Sequence, residues 1–396
     1  MSGKFYTPDG FNDTIPEVCA FKKDAENKLR NLYARHGFTE IETPGYEYCD
    51  IYTKPGFVAE EDLFKLTDTK GRLLCARFDG TVPAARYAAT IAKDTLPLRL
   101  FYIENMYRYN QAGGGKQCEF TQAGVELMGI SGSDSDAGII ALAISSALET
   151  GVTDIQVTIG QTGLFEGAAA QMGFDEDTKS LIRQAIVSKD SVTIERTAKE
   201  LGLSDRDKET LLMFAESTGS FEINDDLKSR FTDKGALEAI KNLEEITEAL
   251  EDYGYGKYIS VDPGLIGSQG YYTGMIFKGH TYEVGFPIFG GGRYDKTVGV
   301  FGREMECVGF SLGLSLAVTA LLRQGLKPEM PKAEVVIGYE KGNRDARCTA
   351  ITMAEQMRSE GTVVILDTSC SDEEALSRFA DENGIETVMF FDGGKE

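Results

Sequence analysis

Two β-rich segments place the strongest constraint on what this chain can fold into. Residues 98–109 and 119–128 are rich in aliphatic and aromatic side chains, and the glycine-rich segment Asn110 to Cys118 joins them. Strand-forming segments with a short polar connection are typical of a β-hairpin. We therefore expect a long antiparallel hairpin with a mobile tip.

The segment before the hairpin predicts a helix followed by a strand. Apolar residues recur at steps of three and four between Pro16 and Gly37, which indicates an amphipathic helix over residues 17–36. Residues 38–44 alternate apolar and polar side chains and end at Pro44. This pattern predicts a strand at a sheet edge or an interface, where the missing N–H of proline is tolerated.

The rest of the chain divides by composition. Residues 165–256 have a helical pattern, and residues 165–260 hold 21 acidic and 12 basic side chains, so we expect an inserted helical subdomain. Further elements are expected as strands at 258–261, 271–278 and 281–286 and as a helix at 309–322. Residues 326–331 contain two prolines and predict a linker between a core of residues 1–325 and an α/β domain of residues 333–396.

Composition narrows the classes of function. The chain has 396 residues, 42% of them hydrophobic and 26% charged, which is ordinary for a globular protein and excludes a disordered or collagen-like chain. Its formal net charge is −22. Such a charge repels a polyphosphate partner unless a local basic groove overcomes it, so a nucleic-acid-binding function starts at a disadvantage.

The cysteines and histidines argue against a disulfide framework and against zinc. Seven cysteines are scattered without a CxxC pair, and the only histidines are His36 and His280. We find no cationic leader and no apolar run long enough to span a bilayer. We therefore expect a cytoplasmic protein without a bound metal.

Several polar residues lie on the predicted hairpin or in the segment before it. The segment Arg77 to Arg86 carries a carboxylate, a hydroxyl and two guanidinium groups around a glycine, and Arg108 lies on the first hairpin strand. Gln122 and Glu126 share one face of the second strand because alternate residues point the same way. Together with Asp79 they would form a pocket for a cation such as an α-amino group or an imidazolium. A solvated sheet face balanced by Arg108 is the alternative, and the spacing leaves both open.

Two glycine clusters complete the motifs. Residues 270–274 contain paired tyrosines, and residues 290–295 contain a triple glycine that lets the backbone approach something closely. Neither is a phosphate-binding loop, because no GK[ST] or GxGxxG pattern follows a strand. A Ser/His/Asp triad is also missing from the sequence, so we assign no catalytic residue.

Seven segments, in the right order, resemble the signature segments of histidyl-tRNA synthetase. They are residues 6–13 (YTPDGFND), 77–81 (RFDGT), 107–109 (YRY), 119–126 (EFTQAGVE), 271–274 (YYTG), 290–295 (GGGRYD) and 309–314 (GFSLGL). The resemblance implies an α+β fold like that of class II aminoacyl-tRNA synthetases, with an antiparallel sheet flanked by helices. It also implies a helical insertion, a reduced anticodon-binding-like domain at residues 333–396, and a dimer formed around Pro44.

The chain departs from the synthetases where ATP would react. Gly267 stands where the family has the arginine that stabilises activated histidine, and Leu316 stands where it has the arginine on the ATP phosphates. Residues 110–113 replace the family's ERPQ loop. A fixed charge aimed at the transferring group is worth roughly 3 kcal/mol, so we expect no adenylate formation. Residues 333–396 hold 14 acidic and 6 basic side chains, which disfavours tRNA.

The chain still has suitable side chains at the positions that match the histidine pocket of the synthetases. They are Asp79 (a glutamate in the synthetases), Thr81, Arg108, Gln122, Glu126, Tyr271 and Tyr272. The chain therefore resembles the ATP phosphoribosyltransferase regulatory subunit family, synthetase-like proteins that assemble with a short catalytic subunit in the first step of histidine biosynthesis. The resemblance implies a non-catalytic subunit that activates its partner and mediates histidine feedback. It further implies a homodimer within a hetero-oligomer, with no cofactor, no tRNA and no membrane partner.

Two other functions stay open at this point. One is a divergent histidyl-tRNA synthetase that activates histidine with ATP, and the other is a synthetase-like regulator of another complex. We expect Arg108 and the glycines Gly113 to Gly115 to couple the histidine pocket to the partner, because this loop is mobile in synthetase-like sheets. The contact surface with the partner and the oligomer count do not follow from the sequence.

Overall fold

The computed structural model describes residues 6–109, 117–217, 222–267, 271–282, 284–326, 328, 330, 332–370 and 372–392. The chain forms two compact units, residues 1–327 and 328–396. Within the described residues, no helix is both long and apolar enough to cross a membrane.

The first unit begins with the elements that carry the hairpin. In chain order they are α1 (Pro16–Arg35), β1 (Thr39–Glu40), β2 (Tyr46–Tyr48), α2 (Asp50–Thr53), β3 (Lys65–Thr67), β4 (Leu73–Ala76), α3 (Thr81–Thr90), β5 (Leu98–Tyr107), β6 (Glu119–Met128), α4 (Ser133–Thr150) and β7 (Gln156–Gln161). The predicted hairpin is confirmed as the antiparallel pair β5 and β6, with Leu98 opposite Met128 and Tyr107 opposite Glu119. Residues 110–116, where the mobile tip was predicted, lie outside the described residues. They include Gly113 to Gly115, so the predicted coupling loop also lies outside them.

A helical segment follows and then the remaining strands. The elements are α5 (Thr162–Gln171), α6 (Glu176–Val187), α7 (Ser191–Glu200), α8 (Asp205–Glu216), α9 (Asp225–Ser229), α10 (Lys234–Asp252), β8 (Ile259–Val261), β9 (Met275–Thr281), β10 (Val284–Arg293), β11 (Cys307–Gly313) and α11 (Leu314–Arg323). The side chains of Asp175, Asp190 and Ser204 accept backbone N–H bonds at the starts of α6, α7 and α8. These caps satisfy N–H groups that have no partner inside a helix.

One mixed sheet organises the unit and confirms the predicted α+β architecture. Its strand order is β1-β5-β6-β11-β10-β9-β7-β8. The six central strands pair antiparallel, whereas β1 and β8 join the edges in parallel. Ala123, Val125 and Leu127 of β6 join the main apolar core with α1, α4 and α11. The alternate residues of β6 face the other side, which carries the site.

A small antiparallel sheet, β2-β4-β3, stands beside the large one. Glu47 and Cys75, which pair across it, are buried, whereas Tyr46, Tyr48 and Leu66 are exposed. The exposed side chains share one face, because Leu74 pairs with both Tyr48 and Leu66.

The second unit alternates strands and helices as expected. It contains β12 (Val335–Tyr339), α12 (Arg344–Ser359), β13 (Val364–Leu366), α13 (Glu373–Asn383) and β14 (Thr387–Phe391), and its parallel sheet has the order β13-β12-β14. Val335 and Ile337 pack with Ala350 of α12, whereas Val336 packs with Leu376 of α13. Alternate residues of β12 therefore bury both faces of this sheet.

Four elements were predicted with wrong boundaries. Residues 309–313 belong to β11 and not to the following helix. Val308, Phe310 and Leu312 alternate with Gly309, Ser311 and Gly313 as in a strand, but glycine is depleted in strands and β11 continues into α11 without a connecting loop, so the boundary is not visible in the sequence. The strands predicted at 271–278 and 281–286 lie at 275–281 and 284–293, and the strand at 38–44 shrinks to Thr39–Glu40.

Candidate functional site

Glu126 lies at the centre of the polar cluster that the sequence predicts. It is the third-last residue of β6, and its backbone pairs with Gly309 of the neighbouring strand β11. A side chain at position 309 would overlap the Glu126 carboxyl, so glycine leaves the space that this group occupies. Glu126 is only 1% exposed.

Three hydroxyl groups surround this carboxyl. Thr81 Oγ1 donates to Oε1 at 2.7 Å, Tyr102 OH donates to the same oxygen at 3.4 Å, and Tyr294 OH donates to Oε2. Burial raises the pKa of Glu126 to about 8, and the hydrogen bonds from Tyr294 and Thr81 oppose that rise. This shift of the pKa favours the protonated form of the Glu126 carboxyl at neutral pH.

Asp79 and Thr81 are positioned by the start of helix α3. Asp79 Oδ1 accepts the backbone N–H of Val82 at 2.9 Å. Burial raises the pKa of Asp79, while the Val82 N–H and the charge of Arg108 oppose the rise. Arg108 donates from Nε to the Phe78 carbonyl at 3.1 Å, and its guanidinium lies 4.7 Å from the centre of the Phe78 ring.

Gln122 carries an unused acceptor. Its side chain is buried, and its Oε1 has no hydrogen-bond partner among the described residues. Its Nε2 is 3.4 Å from the Ser311 hydroxyl, a long contact. A buried acceptor without a partner costs about 1–3 kcal/mol, so this amide favours a ligand that donates a hydrogen bond.

Two tyrosines close the site. The Tyr271 ring stacks on the Tyr294 ring with centroids 6.1 Å apart, and it meets the Tyr272 ring edge-on at 5.0 Å. These side chains line a cavity of about 40 Å³ together with Thr81 and Ser311.

Of the seven predicted residues, Thr81, Tyr271 and Tyr272 line this cavity. Glu126 is hydrogen-bonded to Thr81 and Tyr294, and Gln122 makes a long contact with Ser311, so both lie one contact away. Asp79 and Arg108 do not line it.

Three residues of the site were not predicted from the sequence: Tyr102, Tyr294 and Ser311. Tyr102 pairs with Gly124 across the hairpin, and side chains at Gly80 or Gly124 would overlap its ring. The sequence alone does not show that Gly80 and Gly124 both face Tyr102, because this depends on how the strands pair. Ser311 lies two residues after Gly309 and so shares its face of β11.

Comparison with known proteins decides the family. The chain is 39% identical to an ATP phosphoribosyltransferase regulatory subunit of Acetivibrio thermocellus over 98% of this chain and 92% of that protein. It is likewise 39% identical to the regulatory subunit of Ruminiclostridium cellulolyticum, over 90% of this chain and 85% of that protein. This chain belongs to the ATP phosphoribosyltransferase regulatory subunit family.

The fold comparison agrees with this membership. A Bacillus halodurans structure titled as an ATP phosphoribosyltransferase regulatory subunit/histidyl-tRNA synthetase has a TM-score of 0.86, 29% identity and 99% coverage of both chains. A histidyl-tRNA synthetase from a Nostoc species has a TM-score of 0.78 at 22% identity, covering 96% of this chain and 90% of that one. Residues 10–316 match the histidyl-tRNA synthetase family model. The regulatory subunit family thus shares the class II synthetase fold, as predicted.

At the two positions where the synthetase resemblance leads one to expect arginines, Gly267 and Leu316 have other structural roles. Gly267 has a φ of +69°, a conformation that favours glycine, and a Cβ there would lie 2.6 Å from Ile276 Cδ1. Leu316 packs against the main apolar core from the first turn of α11. Neither position supplies a charge that could bind a phosphate.

Proposed function

We propose that this chain binds free histidine in the pocket around Glu126 and uses its occupancy to regulate a catalytic ATP phosphoribosyltransferase subunit. Membership of the regulatory subunit family supports a catalytic ATP phosphoribosyltransferase subunit as the partner. The observation that supports a ligand is the Gln122 Oε1 atom, a buried acceptor without a partner among the described residues, on the same face of β6 as the buried carboxyl group of Glu126.

The pocket chemistry suits a small molecule rich in hydrogen-bond donors. Histidine brings an ammonium group and imidazole N–H groups, and in this proposal these groups donate to the Gln122 oxygen and to the carboxyl groups of Asp79 and Glu126. A charge-assisted hydrogen bond to a carboxylate is about twice as strong as a neutral one. Histidine binding would therefore draw Glu126 toward its ionised form and couple to proton release.

The size of the pocket supports a change of shape on binding. Its cavity of about 40 Å³ is close to the volume of one water molecule, roughly 30 Å³ in the liquid. Histidine needs more space, so lining side chains such as Tyr271 and Tyr272 must move. A ligand shifts an equilibrium only through its different affinity for two states, and this displacement supplies the difference.

The exposed face of the small sheet supports a homodimer. Tyr46, Tyr48 and Leu66 lie together on that face, close in sequence to Pro44, and clustered exposed apolar side chains mark interaction sites. We propose that a second copy of the chain covers this face. The dimer would then join the catalytic subunits in a hetero-oligomer.

We also propose that the chain acts in the cytoplasm, without aminoacylation and without tRNA. All seven cysteines are free thiols, which suits a reducing compartment. The net charge of −8 over residues 333–396 opposes tRNA, and Gly267 and Leu316 oppose adenylate formation.

Isothermal titration of the chain with amino acids tests the ligand. We expect one histidine per chain, with weaker binding or none for other amino acids. Glu126→Gln should weaken histidine binding by about 1.5–3 kcal/mol, the range for hydrogen bonds to charged groups. Equal affinity of both proteins for histidine would move the binding site elsewhere.

A further inference from the structure

The ring of Tyr272, which lines the small cavity, lies between two glycines. A Cβ at Gly292 of β10 would lie 2.8 Å from Cδ1 of this ring, and a Cβ at Gly267 would lie 3.4 Å from Cδ2 on the opposite edge. Gly292 belongs to the large sheet, whereas Gly267 belongs to a loop, residues 262–267. The position of this wall of the histidine pocket therefore depends on what holds the 262–267 loop.

One side of the 262–267 loop is attached to the large sheet. The backbone N–H of Asp262 donates to the Ile159 carbonyl of β7 at 2.9 Å. The side chain of Ile266 is only 1% exposed and belongs to the main apolar core. The sheet and the core thus fix this side of the loop.

The other side of the loop meets the inserted helices. Gly264 lies against the Phe214 carbonyl near the end of α8, and a side chain at position 264 would overlap that carbonyl. Arg183 of α6 donates from Nη1 to the Ile266 carbonyl at 3.4 Å. Because both contacts are made with the backbone of the loop, the inserted helices influence its path and not only one side chain.

Arg183 is itself held in place. Its side chain is mostly buried, its Nη2 donates to Glu166 of α5, and its guanidinium lies 4.7 Å from the centre of the Phe165 ring. Lys179, one turn earlier on α6, pairs with the other oxygen of Glu166 at 3.3 Å. A guanidinium presents its donors in fixed directions, which an ammonium group does not. Arg183 therefore joins α5, α6 and the carbonyl of Ile266.

We propose that Arg183 is a positioning residue for the histidine pocket: by holding the Ile266 carbonyl, it keeps Gly267 against Tyr272 and thereby sets the affinity for histidine. This inference rests on the proposed function, and it gives the inserted helices a part in it. The alternative is that Arg183 only stabilises the packing of α6 on α5. In that case neither the position of Tyr272 nor the histidine affinity would depend on it.

Arg183→Met and Lys179→Met form a matched pair of variants. Each removes one positive charge and one partner of Glu166, but only Arg183 bonds the Ile266 carbonyl. Methionine keeps an apolar side chain beside Phe165 and has no donor. In isothermal titration, Arg183→Met should raise the dissociation constant of histidine roughly threefold or more, as expected for a residue that acts through its neighbours. Lys179→Met should leave it unchanged.

Fluorine NMR in the absence of histidine separates positioning from a general loss of stability. The chain is labelled with 3-fluorotyrosine, and the resonance of Tyr272 is the one that Tyr272→Phe removes. We expect this resonance to shift in Arg183→Met and not in Lys179→Met. The resonance of Tyr33, which packs against Phe101 and Phe310 in the core, should stay in place in both.

Glu166→Gln provides a second variant that leaves Arg183 in the chain. It weakens the hold on the guanidinium, so it should shift the Tyr272 resonance in the same direction, even if Arg183→Met fails to fold. An unmoved Tyr272 resonance in both variants, or equal effects of Arg183→Met and Lys179→Met, would overturn the proposal. If histidine does not bind the unmodified chain, the proposed function fails, and the Tyr272 resonance alone decides whether Arg183 positions this wall.

Discussion

Replacing Glu126 with glutamine should stabilise the unliganded protein in a strongly pH-dependent way. Burial raises the pKa of this carboxyl from 4.5 to about 8. Below pH 4.5 the group is protonated in both the folded and the unfolded chain, so it does not change the free energy of unfolding with pH. Between pH 4.5 and 8 the unfolded chain loses this proton while the folded chain keeps it, so the stability of the unmodified protein falls as the pH rises.

The size of the effect follows from the two pKa values. The shift spans about 3.5 pH units, and each unit corresponds to about 1.4 kcal/mol. Glutamine has no proton to lose, and it fits beside the hydroxyl groups of Thr81 and Tyr294, which can rotate to donate or accept. The stability advantage of Glu126→Gln should therefore grow from near zero at pH 4.5 to roughly 5 kcal/mol at pH 8.

Urea unfolding at a series of pH values measures this difference. The chain has 17 tyrosines and no tryptophan, so tyrosine fluorescence and circular dichroism are suitable probes. Glu248→Gln, which changes an exposed carboxyl on α10, should track the unmodified protein at every pH. A stability difference between Glu126→Gln and the unmodified chain that stays constant with pH would refute a buried, proton-retaining Glu126.

Two further outcomes test the loss of synthetase activity and the proposed dimer. With ATP, magnesium and histidine the chain should show no pyrophosphate exchange, because neither Gly267 nor Leu316 can supply a charge to a phosphate; exchange near a synthetase rate would contradict this. The chain should not retain labelled tRNA on a filter at moderate salt, because residues 333–396 are acidic. Replacing Tyr46 and Tyr48 with aspartate should shift sedimentation equilibrium toward the monomer, and an unchanged dimer would place the interface elsewhere.

Local sequence patterns predicted most of the elements because they depend on neighbours in the chain. The apolar spacing between Pro16 and Gly37 predicts helix α1, and the alternation of strand and helix patterns in residues 333–396 predicts the α/β arrangement of the second unit. Strand β11 was missed because glycine and serine occupy its second face and because it runs directly into α11. Glycine is depleted in strands, so the alternation of Val308, Phe310 and Leu312 is a weak strand signal.

The site was only partly predictable for a related reason. Asp79, Gln122 and Glu126 are visible as polar residues at regular spacing or in a recognisable motif. The contacts of Tyr102 and Tyr294 with Glu126 depend on pairing between strands far apart in the sequence. The absence of side chains at Gly124 and Gly309, which makes room for Tyr102 and Glu126, acquires meaning only in that register.

The most direct test of the account is phosphoribosyl transfer to ATP by the short catalytic subunit, measured with and without this chain and with and without histidine. We expect the unmodified chain to raise the activity and to make the mixture sensitive to histidine. The Glu126→Gln chain should raise the activity equally, since the proposed dimer face and the fold are intact, yet it should leave the mixture much less sensitive to histidine. Full histidine inhibition of the Glu126→Gln mixture would contradict a sensor built around Glu126.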